Sequence, residues 1–210
     1  PDGHDPTVES VPYAWDPDRP LAEVRVGYFK AAFDAPRDGQ RRDAAALDVL
    51  RRLGVSLVEL DLPNDLPVNA LMLVRVEAAA AFEDIAAAGG LDLLREQHAE
   101  GWPNFIRTSL LVPAVEYLRA NRIRTLLMER MEQVFRQVDV MIAPTFAVMP
   151  VTNLTGHPCL VMPNGFTTLG VPTSISFIGK LFGEAELCTV GRAWQDATDW
   201  HQRHPPRFID

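Results

Sequence analysis

The sequence is short of cysteine and lysine, and each shortage closes off some chemistry. Two cysteines, Cys159 and Cys188, stand in 210 residues; that is too few for a disulfide framework, and neither has the CxxC or Cys/His spacing of a metal site. Such usage suits a reducing cytoplasm. Lys30 and Lys180 are the only lysines among 20 basic residues, so a mechanism that needs a lysine base has two candidates. Glycine-flanked reactive loops are missing as well. None of Ser10, Ser56, Ser109, Ser174 and Ser176 lies in G-x-S-x-G, the turn that exposes a hydrolase serine. Neither G-x-G-x-x-G nor G-x-x-x-x-G-K-S/T occurs, Gly179-Lys180 being followed by Leu181, which leaves nucleotide binding by those routes without support.

Positive charge is also in deficit. Twenty Lys and Arg face 28 Asp and Glu, a net charge of −8, which repels a phosphate backbone and disfavours nucleic acid as a partner. Long apolar runs are absent: LMLV at 71–74 stops at Arg75, far short of the ~18 residues that span a bilayer, so no membrane partner is expected. The N-terminal PDGHDPTVES has no basic stretch followed by an apolar one, hence no secretory signal in the residues present. An initiator Met is lacking, the chain starting at Pro1, and the expectation is a fragment or a processed product. What the composition does hold, 47% hydrophobic and 23% charged residues, is that of a soluble globular protein with a sizeable core.

Residues 1–20 carry five prolines and read as an extended connection, since proline cannot continue a helix or a central strand. VRVGYF at 24–29, a helical pattern over about 40–53 stopped by Gly54, and SLVELDLP at 56–63 give the strand, helix, strand order of a parallel βαβ unit. Residues 68–98 read as two helices broken at Gly89-Gly90. The segment 114–137 places Val115, Leu118, Ile123, Leu126, Leu127, Met131, Val134 and Phe135 at three- and four-residue spacing, a long helix with one apolar stripe. VMIAP at 140–144 is a short buried strand, 159–162 and 173–178 are two strands joined by a tight loop, and a last helix ends near His201. The fold class is α/β, a mixed β-sheet flanked by helices over 21–210. Three or four strands leave that sheet incomplete.

Few residues suggest chemistry by themselves. His201 and His204 have a metal-compatible spacing, but histidines at a helix C-terminus complement its dipole without a metal. His157 between Gly156 and Pro158 is a conceivable general base without an evident nucleophile, and packing is the better reading. Glu77, Glu83 and Asp84 read as a solvated helix face. Arg119, Arg122, Arg124 and Arg130 read as surface charge with room for one buried ion pair.

One block is more specific. From Asn153 to Pro172 the sequence runs NLTGHPCLVMPNGFTTLGVP, then SISFIGKLFGEAEL and an aromatic-ended AWQDATDWHQRHP. It resembles the C-terminal part of the amidase signature family, with N-x-x-G-x-P, P-x-G, G-x-P and I-G-x-x-F-x-E-x-x-L elements. Asn153, Gly156, Pro158, Pro163, Gly165, Gly170, Pro172, Ile178, Gly179, Phe182, Glu184 and Leu187 fall in register. DVMIAPT at 139–145, YLRANRIRTLL at 117–127, VRVGYF and PDGHDPT at 1–7 extend the likeness over essentially the whole chain. The stretch between Pro144 and Asn153 is shorter than in many relatives.

The resemblance implies amide hydrolysis by a lysine, a cis-serine and a nucleophilic serine, through an acyl-enzyme that water resolves, with backbone N–H groups of a glycine-rich loop holding the oxyanion. Those groups belong to the family's N-terminal half. Neither Lys30 nor Lys180 matches the family lysine, so no catalytic residue is assigned here, no cofactor or metal is implied, and the chain alone is expected to be inactive. The loop ahead of the Asn153 motif would approach the scissile site, making Phe146, Val148, Val151, Thr152 and Asn153 substrate-pocket candidates. Asn153 is the one expected to order that loop through its backbone. An apolar lining suits an aliphatic or aromatic amide. The expected partners are a small-molecule amide, with the N-terminal half present, and further copies of the chain through exposed apolar surface. Two rival readings remain open: an amidotransferase A subunit using glutamine for tRNA-dependent amidation, and a stand-alone non-catalytic interaction module.

Overall fold

The structure, a computed structural model, describes residues 14–36, 38–61 and 71–205, the side chains of Leu71 and Phe146 excepted. The expected extended connection over 1–20 therefore lies largely outside the described residues; its last part makes a turn in which Arg19 N donates to Asp16 O.

Strand β1 (Val26–Phe29) leads directly into helix α1 (Lys30–Asp34), followed by α2 (Gln40–Arg52) and β2 (Val58–Leu60). Helices α3 (Leu71–Ala81), α4 (Glu83–Ala87), α5 (Trp102–Ser109) and α6 (Ala114–Phe135) come next. Then β3 (Val140–Pro144), α7 (Thr145–Thr155), β4 (Cys159–Phe166), β5 (Pro172–Gly179) and α8 (Glu184–Ala197) complete the order. The strands form one sheet in the order β2-β1-β3-β5-β4. β1 is parallel to both β2 and β3, with Val26 opposite Val140 and Tyr28 opposite Ile142, whereas β5 runs antiparallel to β3 and to β4. Every residue of β1 and β3 is buried, as the unbroken apolar runs of a two-sided parallel sheet require.

Alternation along the strands supplies two cores. Val26, Tyr28, Val140, Ile142, Ile175 and Phe177 face α2 and α8, where Leu47, Leu50, Leu187, Val190 and Trp194 close over them. Phe29, Met141, Ala143 and Ile178 face the other way, onto Leu73, Leu127, Met131, Phe135, Val148 and Leu154 of α3, α6 and α7. The result is a helix, sheet, helix sandwich. The inner strand β1 is held close to its neighbours because position 27 is glycine: a Cβ there would stand 2.5 Å from Leu60 Cδ1 and 2.9 Å from Val138 Cγ1.

Several features differ from the sequence reading: α3 and α4 both precede the Gly89-Gly90 break expected to separate two helices, and α1 and α5 were not expected. The sheet has five strands rather than three or four. The stretch ahead of Asn153, expected to be a loop, lies in α7, which carries Pro150 internally and ends on Gly156 at φ 77°, a backbone region that glycine enters without strain. The long stripe on α6 is buried only in part: Leu127, Met131, Val134 and Phe135 are inside, whereas Val115, Leu118 and Leu126 are exposed. Arg124, on the same helix, serves as a backbone clamp; its Nε donates to Leu154 O at 2.6 Å and ties α6 to the end of α7. No helix among the described residues is long and apolar enough to cross a membrane.

Candidate functional site

Both parallel strands that bear helices end at one edge of the sheet, β1 passing into α1 at Lys30 and β3 into α7 at Thr145. The antiparallel pair meets them there, because β4 ends and β5 begins at the same edge. Ligands of open α/β sheets bind outside this carboxyl edge. A cavity of about 610 Å³ occupies it, between Ala32, Gly39, Arg42 and Asp43 on one side and Thr145, Ala147, Thr173 and Ser174 on the other.

Hydroxyl groups line one wall. Thr145 Oγ1 lies 3.0 Å from Ser174 Oγ and accepts a hydrogen bond from Ser176 Oγ at 3.2 Å. Ser174 and Ser176 are two apart on β5 and therefore share a face. Thr173, on the opposite face, has a buried Oγ1 with no hydrogen-bond partner among the described residues. The opposite wall holds charge. Asp43 is buried and accepts from Asn164 Nδ2 at 2.8 Å, a contact between α2 and β4. Arg42 reaches along the cavity, its stem 3.3 Å from where a Gly165 Cβ would stand and its Nη2 2.7 Å from a Gly39 Cβ. Both glycines have positive φ, 93° at Gly39 and 140° at Gly165, so the arginine lies in a groove that two side-chain-free residues leave open. Beyond Arg42 a second cavity of about 570 Å³ runs between α2 and the aromatic rings of Phe166, Trp194 and Trp200.

Among the described residues no base stands beside these hydroxyls. His157 is buried on the α6 side, stacked on Phe135 at 4.6 Å with Nδ1 2.7 Å from Thr155 Oγ1, and burial pushes its pKa down. That is a packing role. Lys30 Nζ pairs with Glu59 at 3.6 Å, and Lys180 Nζ pairs with Asp139 and Glu186 at 3.4 and 3.2 Å, at the other end of β3. Burial raises the Cys159 thiol above its ordinary value, with an opposing hydrogen bond from Ser176, so it stays a thiol near neutrality. A hydroxyl without an adjacent base is a poor nucleophile, and the cluster is built to bind and orient. Among the described residues no three potential ligands gather as a metal site; His201 and His204 are both exposed.

The sequence candidates all fall on α7, and the helix spreads them. Val148 and Val151 pack into the core on the α6 side. Thr152 is buried and its hydroxyl donates to Met149 O at 3.1 Å. Asn153 is exposed, with no side-chain hydrogen bond among the described residues, and the Phe146 side chain lies outside the described set. The neighbours Thr145 and Ala147 are the α7 residues that line the cavity. Arg42, Asp43, Thr145, Thr173 and Ser174 escaped the sequence reading. The available signals were Pro163–Gly165, which positions Asn164 against Asp43, and the period-two Ser174-Ile175-Ser176.

Comparison with known proteins agrees with this architecture. Residues 1–153 match the family model described as Amidase. Curated relatives include the glutamyl-tRNA(Gln) amidotransferase A subunit of Dechloromonas aromatica (strain RCB), 30% identical over 237 residues, covering 92% of this chain and 49% of that protein. The protein of the same name from Thermosynechococcus vestitus is 30% identical over 256 residues, covering 97% of this chain and 52% of its own length. The chain thus spans about half the length of the curated relatives it matches. Among solved structures, 6-aminohexanoate cyclic dimer hydrolase superposes with a TM-score of 0.73 at 16% identity, over 99% of this chain and 53% of that one. A bacterial aryl acylamidase gives 0.69 at 18% identity, over 92% and 48%. These two likenesses show the shared fold: a mixed sheet with helices on both faces. With the family model covering residues 1–153 and relatives at 30% identity, the chain belongs to the amidase signature family, enzymes that hydrolyse C–N bonds.

Proposed function

We propose that this chain is the C-terminal portion of an amidase, forming one wall of the substrate cleft while the reacting serine and lysine come from the other half of the fold. The carrying observation is the cavity at the carboxyl edge of the sheet: among the described residues it presents hydroxyls and an arginine but no nucleophile and base pair. The half-length match to the relatives supports the same division. The parent protein hydrolyses a carboxylic amide to acid plus ammonia or amine, and the 210-residue chain alone does not. The pocket candidates Phe146, Val148, Val151, Thr152 and Asn153 belong to α7, the helix whose Thr145 and Ala147 line the cleft. Cys159, which forms no disulfide, supports a reducing, cytoplasmic setting.

Ammonia release from aliphatic and aromatic amides tests this, comparing the chain alone with the same chain extended by whatever its gene encodes upstream. Activity that requires the upstream residues, and a glycine-flanked serine pair with an earlier lysine among them, is the expected result. A start codon directly before Pro1 would overturn it and leave a stand-alone interaction module. The 30% identity to amidotransferase A subunits favours a second reading, glutamine-dependent tRNA amidation. The extended protein with its partner subunits decides between them, since an amidase releases ammonia without tRNA.

A further inference from the structure

We propose that the cavity at the carboxyl edge binds a carboxylate through Arg42, so that the substrate of the proposed amidase is an amide that also carries an anionic group. The inference rests on the amidase reading for the amide and on the geometry of this chain for the anion. Three observations converge. Arg42 has a side chain only 26% exposed, and its ion-pair contact among the described residues is Asp38 Oδ1 at 3.9 Å, on a carboxylate that is itself 76% exposed. That distance in water leaves most of the positive charge uncompensated. The second is the start of α2. Its N-cap, Gly39, and the residues Arg42 and Asp43 that follow line the cavity, so the positive dipole end of this 13-residue helix adjoins the same space. The third is Thr173, a residue of the cavity lining whose Oγ1 is buried and unpartnered among the described residues.

The position of Arg42 is held open. Any side chain at Gly165 or Gly39 would press on its stem or guanidinium, and each is in a backbone region that other residues enter at a cost. Of the acids on this wall, Asp43 accepts from Asn164 Nδ2, and Asp38 is a largely exposed carboxylate ahead of α2. An arginine fork matches a carboxylate with two parallel hydrogen bonds, which a lysine cannot reproduce. The Thr145 and Ser174 hydroxyls, on the α7 side of the same cavity, are left for the neutral amide end. This differs from the aliphatic or aromatic amide that the apolar sequence candidates suggest, because the Val148 and Val151 side chains turn into the core.

The test is binding of succinamate, a monoamide monocarboxylate, to the 210-residue chain, followed by NMR shifts with neutral succinamide as the comparison. Succinamate is expected to shift residues around Arg42 and Thr173 and to bind at least ten-fold more tightly than succinamide. Arg42→Gln should remove that preference, and Arg42→Lys should restore a minor part of it. If Arg42→Gln fails to fold, the Lys variant and the two ligands on the native chain still decide. Equal affinity for the two ligands, unchanged affinity in the variants, or shifts confined to other surfaces would overturn the proposal. Failure of the amidase reading is separate: the extended protein would then release no ammonia, while the carboxylate preference of this chain persisted.

Discussion

Asp139 shows how much a single carboxylate does at the end of the sheet opposite the cleft. Its Oδ2 accepts from Arg25 N and Nε, each at 3.1 Å, and its Oδ1 accepts from Arg25 Nη2 at 2.9 Å and Lys180 Nζ at 3.4 Å. The hydrogen bonds of Arg25, outweighing burial, hold the carboxyl at about 2 against an ordinary 3.8. A pKa depressed in the folded state adds stability that is complete above the ordinary value and is lost as the pH falls from about 4 toward 2. The shift corresponds to at most about 2 kcal/mol, reduced by solvent around the half-exposed guanidinium. Asp139→Asn should therefore lower stability at pH 7 by about 1–2 kcal/mol and flatten the loss between pH 4 and 2, with the two proteins converging at the acid end. Urea unfolding at pH 7, 4 and 2 measures this; parallel losses in both would show that Asp139 is not the group responsible. None of this pairing was legible in the sequence, where Arg25 and Asp139 are 114 residues apart and Asp139 reads as the lead-in to a strand.

At the scale of elements, one tight constraint is the seam between β1 and β2. Gly27 is paired with Val58 on one side and Met141 on the other, and the space over it is filled by Leu60 and Val138. Gly27→Ala should cost about 1–3 kcal/mol by overpacking, lowering Tm by roughly 2–4 °C per kcal/mol for a chain of this size. Combined with Leu60→Ala, the total loss should be smaller than the sum of the two single losses, since two changes in contact are not additive; thermal unfolding of both singles and the double checks the sign. The strands β1 and β3 were legible because both are buried on two faces and show as plain apolar runs. Helix α7 was not, because Pro150 and Gly156 are loop signals in isolation and only the packing of Val148 and Leu154 against α6 overrides them. Helix α5 is eight residues long, shorter than the window over which periodicity can be read. The cleft residues share a further difficulty: Arg42, Thr145 and Thr173 meet only through strand order, and order is not a local property of the sequence.

For the whole molecule, the informative surface is the outer side of α6. Val115, Leu118 and Leu126 lie within a narrow arc of that helix, interrupted by Arg122, and Leu118 is 61% exposed. Sequence periodicity merges these residues with the buried stripe of Leu127, Met131 and Val134, so it overstates the core and conceals an apolar face. Large exposed apolar patches mark surfaces that another molecule covers. In a chain half as long as its relatives, two occupants compete: the other half of the fold and a second copy of this chain. Self-association of the 210-residue chain at high concentration is the expected outcome, and Leu118→Glu with Leu126→Glu should shift it toward monomer in sedimentation velocity while circular dichroism stays unchanged. Both substitutions are on exposed positions, where a charge costs within about 0.5 kcal/mol, so loss of association could not be assigned to unfolding. A native chain that sediments as a monomer would remove the face from consideration. Association that persists in the double variant would move it to another surface, such as the edge strand β4, where Val161 is also exposed. An unpaired edge recruits strands through its backbone, and side-chain charge on α6 would leave that route untouched.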